Sequence, residues 1–198
     1  MIGNCSALIL AGGDSRRMGQ DKAGIVLDGQ TLLQRMVSIA QPLFAEIIIS
    51  VRQPRPEIDL PQICDDPANS GPLAGLAAGL QSATKPWVFA VACDMPFIAA
   101  PLIEYLAQQR GEFQAVVPMV RGYPQPLAAY YSASCVPAIL ACLNGSGKHS
   151  LRVLLDRLQV RYVAEAEMLQ ADPQLNGFFD LDTPADVAQA RRQLQVGL

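Results

Sequence analysis

Three cations, Arg16, Arg17 and Lys22, stand within seven residues near the start of the chain, in a stretch that also holds Gly12, Gly13 and Gly19. Glycine permits positive φ and lets backbone N–H groups approach a ligand closely. Successive free N–H groups form a concave anion site, and guanidinium and ammonium groups suit phosphate oxygens. The stretch therefore reads as a cradle for a nucleoside triphosphate. The glycine pair alone would fit a plain tight turn, and Arg16–Arg17 a solvated surface, so the reading rests on the whole string. It is not a dinucleotide fingerprint, because G-x-G-x-x-G is absent.

The carboxylates point to the complementary chemistry. Asp94 follows an apolar run and precedes Met95-Pro96. A carboxylate released at a strand end can hold a metal that bridges phosphate oxygens, or it can cap the turn before the proline. Asp65, Asp66, Asp180 and Asp182 form two further acidic pairs. The only histidine is His149, so any Ser/His or Cys/His pair would depend on that one residue. The five cysteines are odd in number and contain no C-x-x-C, which argues against a disulfide framework or a zinc knuckle. A metal would then have oxygen ligands, which points to Mg²⁺ or Mn²⁺. Cys93 reads as a core residue rather than a nucleophile. Asn144 to Ser150 invites a phosphate-loop reading and fails it. Cys142 stands at the first glycine position and His149 follows Lys148.

These groups need a frame. The chain has 198 residues, 51% apolar and 17% charged, which suits one globular domain with a full core. A net charge of −3 argues against a nucleic-acid partner. No secretory signal or membrane-length apolar run is evident, so a cytoplasmic location is expected. Apolar runs at 7–10, 46–51, 62–64, 87–93, 114–118 and 160–164 predict strands, with helices expected over 31–43, 72–82, 101–109, 132–143 and 150–158. The 127–131 strand has no room for a crossover helix before it, so it is expected to run antiparallel. Residues 178–181 read as a short strand or extended segment. Thr183-Pro184 opens a last helix, with Thr183 as N-cap and Asp186 at N3. The alternation predicts an α/β fold: a Rossmann-like domain with a mainly parallel sheet, helices on both faces and one antiparallel strand. Ligands of such sheets bind beyond the carboxyl ends of the strands. Gly12, Ser50, Asp65 and Asp94 all fall at such ends.

Leu10 to Lys22 resembles, at every fixed position, the LAGGxSxRMGxDK signature of the nucleotidyltransferases that attach a nucleotide to molybdopterin. Gly71-Pro72-Leu73-Ala74-Gly75 is similar to that family's GPLAG loop, Cys93 to Phe97 to its CDxPF element, and Phe179 to Pro184 to the element closing its sheet. The resemblance implies transfer of GMP from GTP to molybdopterin, with Mg²⁺ held by Asp94. It implies catalytic roles for Arg17, Lys22 and Asp94. It also implies a nucleotide site of Leu10, Ala11, Gly12, Gly13, Lys22, Ser50, Asp65, Gly71 and Asp94. Asp66 rivals Asp65 for the place near the base. Lys148, His149 and Arg152 are either contacts for the anionic second substrate or part of a solvated connector. Contacts with other cofactor-biosynthesis proteins or with acceptor molybdoenzymes are further expected partners. Glycine at 12 matches the guanylyl-transferring members, whereas cytidylyl-transferring relatives have LAAG. Asp180 and Asp182 instead match those relatives, where guanylyl members often carry asparagines. Either aspartate could join Asp94 at the metal or serve as a turn and helix-cap residue. CTP-dependent transfer to molybdopterin, or another sugar-nucleotide-type transfer, is the alternative reading.

Overall fold

Strand β1 (Cys5–Leu10) lies near the middle of the sheet because its side chains are apolar on both faces. Ala7 and Ile9 face one side, and Leu8 the other. This is a computed structural model, and it describes residues 1–12, 21–64, 71–145 and 150–196. After β1 come a small hairpin, β2 (Val26–Leu27) and β3 (Gln30–Thr31), then α1 (Leu32–Ala40), β4 (Ile47–Val51) and β5 (Gln62–Cys64). There follow α2 (Pro72–Ser82), β6 (Trp87–Ala92), α3 (Ala100–Gln108), β7 (Ala115–Val120), β8 (Tyr123–Pro124) and β9 (Ala128–Ser132). The described chain closes with α4 (Val136–Leu143), α5 (Leu151–Leu155), β10 (Val160–Val163), α6 (Glu165–Met168) and α7 (Pro184–Val196).

The main sheet runs β10-β7-β9-β6-β1-β4-β5, with β8 paired to β7. β4 and β6 flank β1 in parallel, in registers Ile9↔Ile49 and Ile9↔Val91. The order thus reverses at β1, where crossovers leave on opposite sides. β9 is antiparallel to both β6 and β7, as its short approach requires. Helices cover both faces. Leu33 and Met36 of α1 and Leu102 and Leu106 of α3 pack on Ala7, Ile9, Phe89 and Tyr130. Leu76 and Leu80 of α2, with Ile139 of α4 and Leu154 of α5, pack on Leu8, Ala90 and Tyr131. The alternation Tyr130/Tyr131 sends one ring to each face.

Helix α2 is drawn hard onto the sheet. A Cβ at Gly79 would lie 2.3 Å from a Leu8 methyl, and one at Gly75 would lie 2.8 Å from both Leu10 Cδ2 and Ser50 Oγ. The small residues of the 71–79 stretch are therefore a packing device that brings the helix start beside the ends of β1 and β4. Gly71 itself has φ +109°, which disfavours any side chain there.

Residues 179–182 take the extended alternative and form no ladder, following a 3₁₀ turn (Asn176–Phe178). Two sequence expectations change. The helix expected from 132 opens as a 3₁₀ turn, Ala133–Cys135. The helix expected over 150–158 is only Leu151–Leu155. Ser150 caps it, donation coming from the Val153 N–H.

Candidate functional site

A cavity of about 470 Å³ opens where the strand order reverses, at the carboxyl ends of β1, β4 and β6. The ladder continues one step past the strands: Ala11 N–H donates to the Ser50 carbonyl at 2.8 Å, and Cys93 N–H to the Leu10 carbonyl at 3.1 Å. Leu10, Ala11 and Gly12 form one wall, Ser50 and Arg52 the next, and Gly71-Pro72 a third at the start of α2. Ser50 is one of two fully buried polar side chains among the described residues. Ala92 to Met95 supply the wall from β6.

The charged end of the cavity is built around Lys22. Asp21 N-caps a single 3₁₀ turn, Lys22–Gly24, accepting from the Ala23 N–H at 3.2 Å. From that turn the Lys22 ammonium donates to Asp94 Oδ2 and to Asp182 Oδ1, each at 2.7 Å. Burial acts to lower the Lys22 pKa, but the two carboxylates outweigh it and hold the group above its ordinary value. Lys22 is thus a fixed positive charge at neutral pH. The turn carrying Asp94 is held from behind by Arg35 of α1, which donates to the Pro96 carbonyl at 2.8 Å. The Asp94 carbonyl accepts from the Leu181 N–H at 3.0 Å, which brings residues 180–182 beside it.

With Asp21, Asp94 and Asp182, Asp180 is one of four carboxylates that line the cavity. Desolvation in the pocket, then the charges of Asp94 and Asp182, push its pKa up to about 6, against the opposing pull of Lys22. Neither Asp180 nor Asp182 caps the last helix. Thr183 Oγ1 accepts from the Asp186 N–H at 3.3 Å, while Asp186 accepts from the backbone of Asp182 and Thr183. That leaves the carboxylates of 180 and 182 for the pocket. Cys93 is buried and its thiol is pushed up to about 12 by burial and by Asp94, so it is no nucleophile.

The structure brings Leu10, Ala11, Gly12, Lys22, Ser50, Gly71 and Asp94 of the candidate residues together around one cavity. Gly13, Arg16, Arg17, Asp65, Asp66, Lys148 and His149 lie outside the described residues. Sequence reasoning missed Asp21, Arg52 and Gln125 to Leu127, all of which line the cavity. The last three were within reach: an antiparallel β9 must start where its parallel neighbours end.

A cavity of this make, at the switch point of such a sheet, defines an α/β nucleotide-binding enzyme. The chain belongs to the MobA-like NTP transferase family, whose domain model matches residues 7–162. It is accordingly a nucleotidyltransferase. It is 37% identical over 191 residues to a probable molybdenum cofactor guanylyltransferase of Pelotomaculum thermopropionicum, covering 94% of this chain and 91% of that one. It is 35% identical over 192 residues to the molybdenum cofactor guanylyltransferase of Syntrophotalea carbinolica, covering 95% and 91%. Among solved structures, the molybdopterin-guanine dinucleotide biosynthesis protein A of Archaeoglobus fulgidus superposes with a TM-score of 0.86 at 26% identity, covering 96% of this chain and 99% of that one. The 2-C-methyl-D-erythritol 4-phosphate cytidylyltransferase of Thermus thermophilus shares the fold, with a TM-score of 0.69 at 20% identity over 96% and 98% of the two chains. No helix among the described residues is long and apolar enough to cross a membrane.

Proposed function

We propose that the protein transfers GMP from GTP to the terminal phosphate of molybdopterin and releases pyrophosphate. The observation that carries this reading is Lys22, clamped 2.7 Å from both Asp94 and Asp182 beside the glycine-turned end of β1. Relatives over nearly the whole chain bear the matching name. In the step itself, a phosphate oxygen of molybdopterin forms a bond to the α-phosphorus of GTP. The bond from that phosphorus to the bridging oxygen of the β-phosphate breaks, and pyrophosphate leaves with the electron pair.

Little covalent chemistry falls to the protein, which orients two anions and offsets their charge. Lys22, with Arg17 from the same glycine-rich stretch of sequence, serves the triphosphate. Leu10, Ala11, Gly12, Gly13, Ser50, Asp65 and Gly71 hold the nucleoside and the α-phosphate. The donor set suits Mg²⁺, with Mn²⁺ as a substitute. Mg²⁺ keeps several waters and takes one or two carboxylates plus substrate phosphates. Among the described residues no three acidic, cysteine or histidine groups form a ready protein cage, and the pair Asp94 and Asp182 meets that smaller demand. When bound, the ion supplies charge neutralisation at the phosphate oxygens. Asp94 and Asp182 would hold the ion, and the Lys22 ammonium would then be placed to face the phosphates. The work belongs in the cytoplasm, with transient contacts to the proteins that supply molybdopterin or receive the product.

One observation favours a second reading. Asp180 and Asp182 stand where cytidylyl-transferring relatives carry aspartates, so CTP is the rival donor. Pyrophosphate release from each nucleoside triphosphate, with molybdopterin and Mg²⁺, separates the two. Release with GTP well above CTP supports the proposal, and the reverse order replaces it.

A further inference from the structure

The 52–61 loop between β4 and β5 contains a residue that no motif singles out. Gln62, the first residue of β5, is fixed by the sheet through the Ile49↔Gln62 register. Its side-chain amide clasps the backbone of Arg55: Oε1 accepts from the Arg55 N–H and Nε2 donates to the Arg55 carbonyl, each at 2.8 Å. Nε2 also donates to the Ile58 carbonyl at 3.1 Å. A loop rich in proline is thereby pinned at Arg55 and at Ile58. The Arg55 guanidinium then reaches across to Asp21, with which it forms a close ion pair. Only 20% of the Arg55 side chain is exposed.

Asp21 uses both carboxylate oxygens. Oδ2 takes the Arg55 guanidinium, and Oδ1 takes the Ala23 N–H that closes the Lys22 turn. A continuous chain of contacts thus runs from the sheet, through Gln62, Arg55 and Asp21, to the backbone that carries Lys22. The far end of Lys22 is held by Asp94 and Asp182. Under the reading above, those carboxylates would hold the ion and the ammonium would face the phosphates. The turn then depends on its near anchor to keep Lys22 aimed into the cavity.

We infer that Arg55 is a positioning residue for nucleotide binding, holding the Lys22 turn in place through Asp21. The inference rests on the proposed role of Lys22 at the triphosphate. It does not require Arg55 to touch the nucleotide. Arg55 is suited to this because a guanidinium reaches far, stays charged and loses little freedom per bond formed. A lysine at 55 would keep the charge but not the planar fork.

The test is calorimetric titration of GTP and CTP, in Mg²⁺, into the parent chain and into Arg55→Ala, Arg55→Lys, Asp21→Asn and Lys22→Ala. The pair Arg55→Ala with Lys22→Ala is titrated as well. Arg55→Ala and Asp21→Asn should each weaken binding of the preferred nucleotide about three- to thirtyfold, as expected for breaking a coupled contact. KM should rise more than kcat falls. Arg55→Lys should recover part of the loss. On a Lys22→Ala background, Arg55→Ala should cost at most about twofold more, because the residue it positions is already gone. A purely structural role would lower thermal stability, and the same binding loss would then appear on both backgrounds. Equal losses on the two backgrounds overturn the inference, as does unchanged affinity in both Arg55→Ala and Asp21→Asn. If the parent chain binds neither nucleotide, the function proposed above falls with it; if it binds and the variants match it, only this inference falls.

Discussion

Replacing Lys22 by Met should move two quantities in opposite directions. The substitution keeps an unbranched stem of similar volume and deletes the ammonium from between Asp94 and Asp182. The side chains of Lys22 and Asp94 are each 18% exposed, and that of Asp182 is 52% exposed. The Asp182 contact, being largely solvated, is worth about 0.5 kcal/mol. The more enclosed, charge-assisted contact to Asp94 is worth about 1.5 kcal/mol net of desolvation. Their loss, about 2 kcal/mol, should lower Tm by about 4–8 °C for a chain of this size. Asp94, Asp180 and Asp182 would then face one another without that cation. A divalent ion entering the parent chain must displace the ammonium; in Lys22→Met it need not. The same 2 kcal/mol corresponds to a gain of about thirtyfold in nucleotide-free affinity. Mn²⁺ titration followed by electron paramagnetic resonance, with no nucleotide present, measures it, and thermal melting with and without Mn²⁺ gives the second readout. GTP affinity should fall in the same variant. Mn²⁺ binding that is unchanged or weaker in Lys22→Met, with an unchanged Tm, would refute the reasoning.

Asp94→Ala should fold, because its carboxylate lies in a turn and not in the core, yet lose about a hundredfold or more of Mg²⁺-dependent transfer, measured as pyrophosphate release. Asp180 sets a pH dependence. Its folded pKa of about 6 lies above the unfolded value of 3.8. Between these values the folded state holds the extra proton, so stability declines as pH rises through this window. Urea melts in chelated buffer should show that decline in the parent chain and a flatter profile in Asp180→Asn. Gly12→Ala would add a methyl to the wall of the cavity. It should lower kcat/KM for GTP and shift the GTP-over-CTP ratio toward CTP by about 10- to 200-fold, read by competition kinetics.

Much of this arrangement is legible in the residues because several local rules agree. β5 and α2 begin and end where expected, at Gln62–Cys64 and Pro72–Ser82. For α2 the signals are Pro72 directly after a glycine and small residues on the packed face. The antiparallel direction of β9 follows from chain length alone. The β2–β3 hairpin went unread because two-residue strands show no alternation. Its one signal is Asp28-Gly29, at φ 49° and 77°, the pair that a tight hairpin turn favours. The segment before α7 left strand and extended backbone both open. Phe179 and Leu181 alternate like a strand, but their apolar side chains serve a small satellite core with Leu27, Leu32 and Val187 instead of a ladder. Within the site, Asp180 and Asp182 stay ambiguous in sequence because cap and ligand use the same residue types. The Thr183–Asp186 bonds supply the cap, so neither aspartate is needed for it. Asp21 and Arg55 are hidden further still, since an ion pair between two loops leaves no periodic trace.

The identity of the transferred group defines the proposed reaction. Incubation of the parent chain with molybdopterin, Mg²⁺, and GTP and CTP together, followed by mass spectrometry of the pterin products, tests it directly. A molybdopterin–GMP adduct is expected as the dominant product, with one pyrophosphate released per adduct. A dominant CMP adduct, or pterin recovered without any nucleotide, would contradict it.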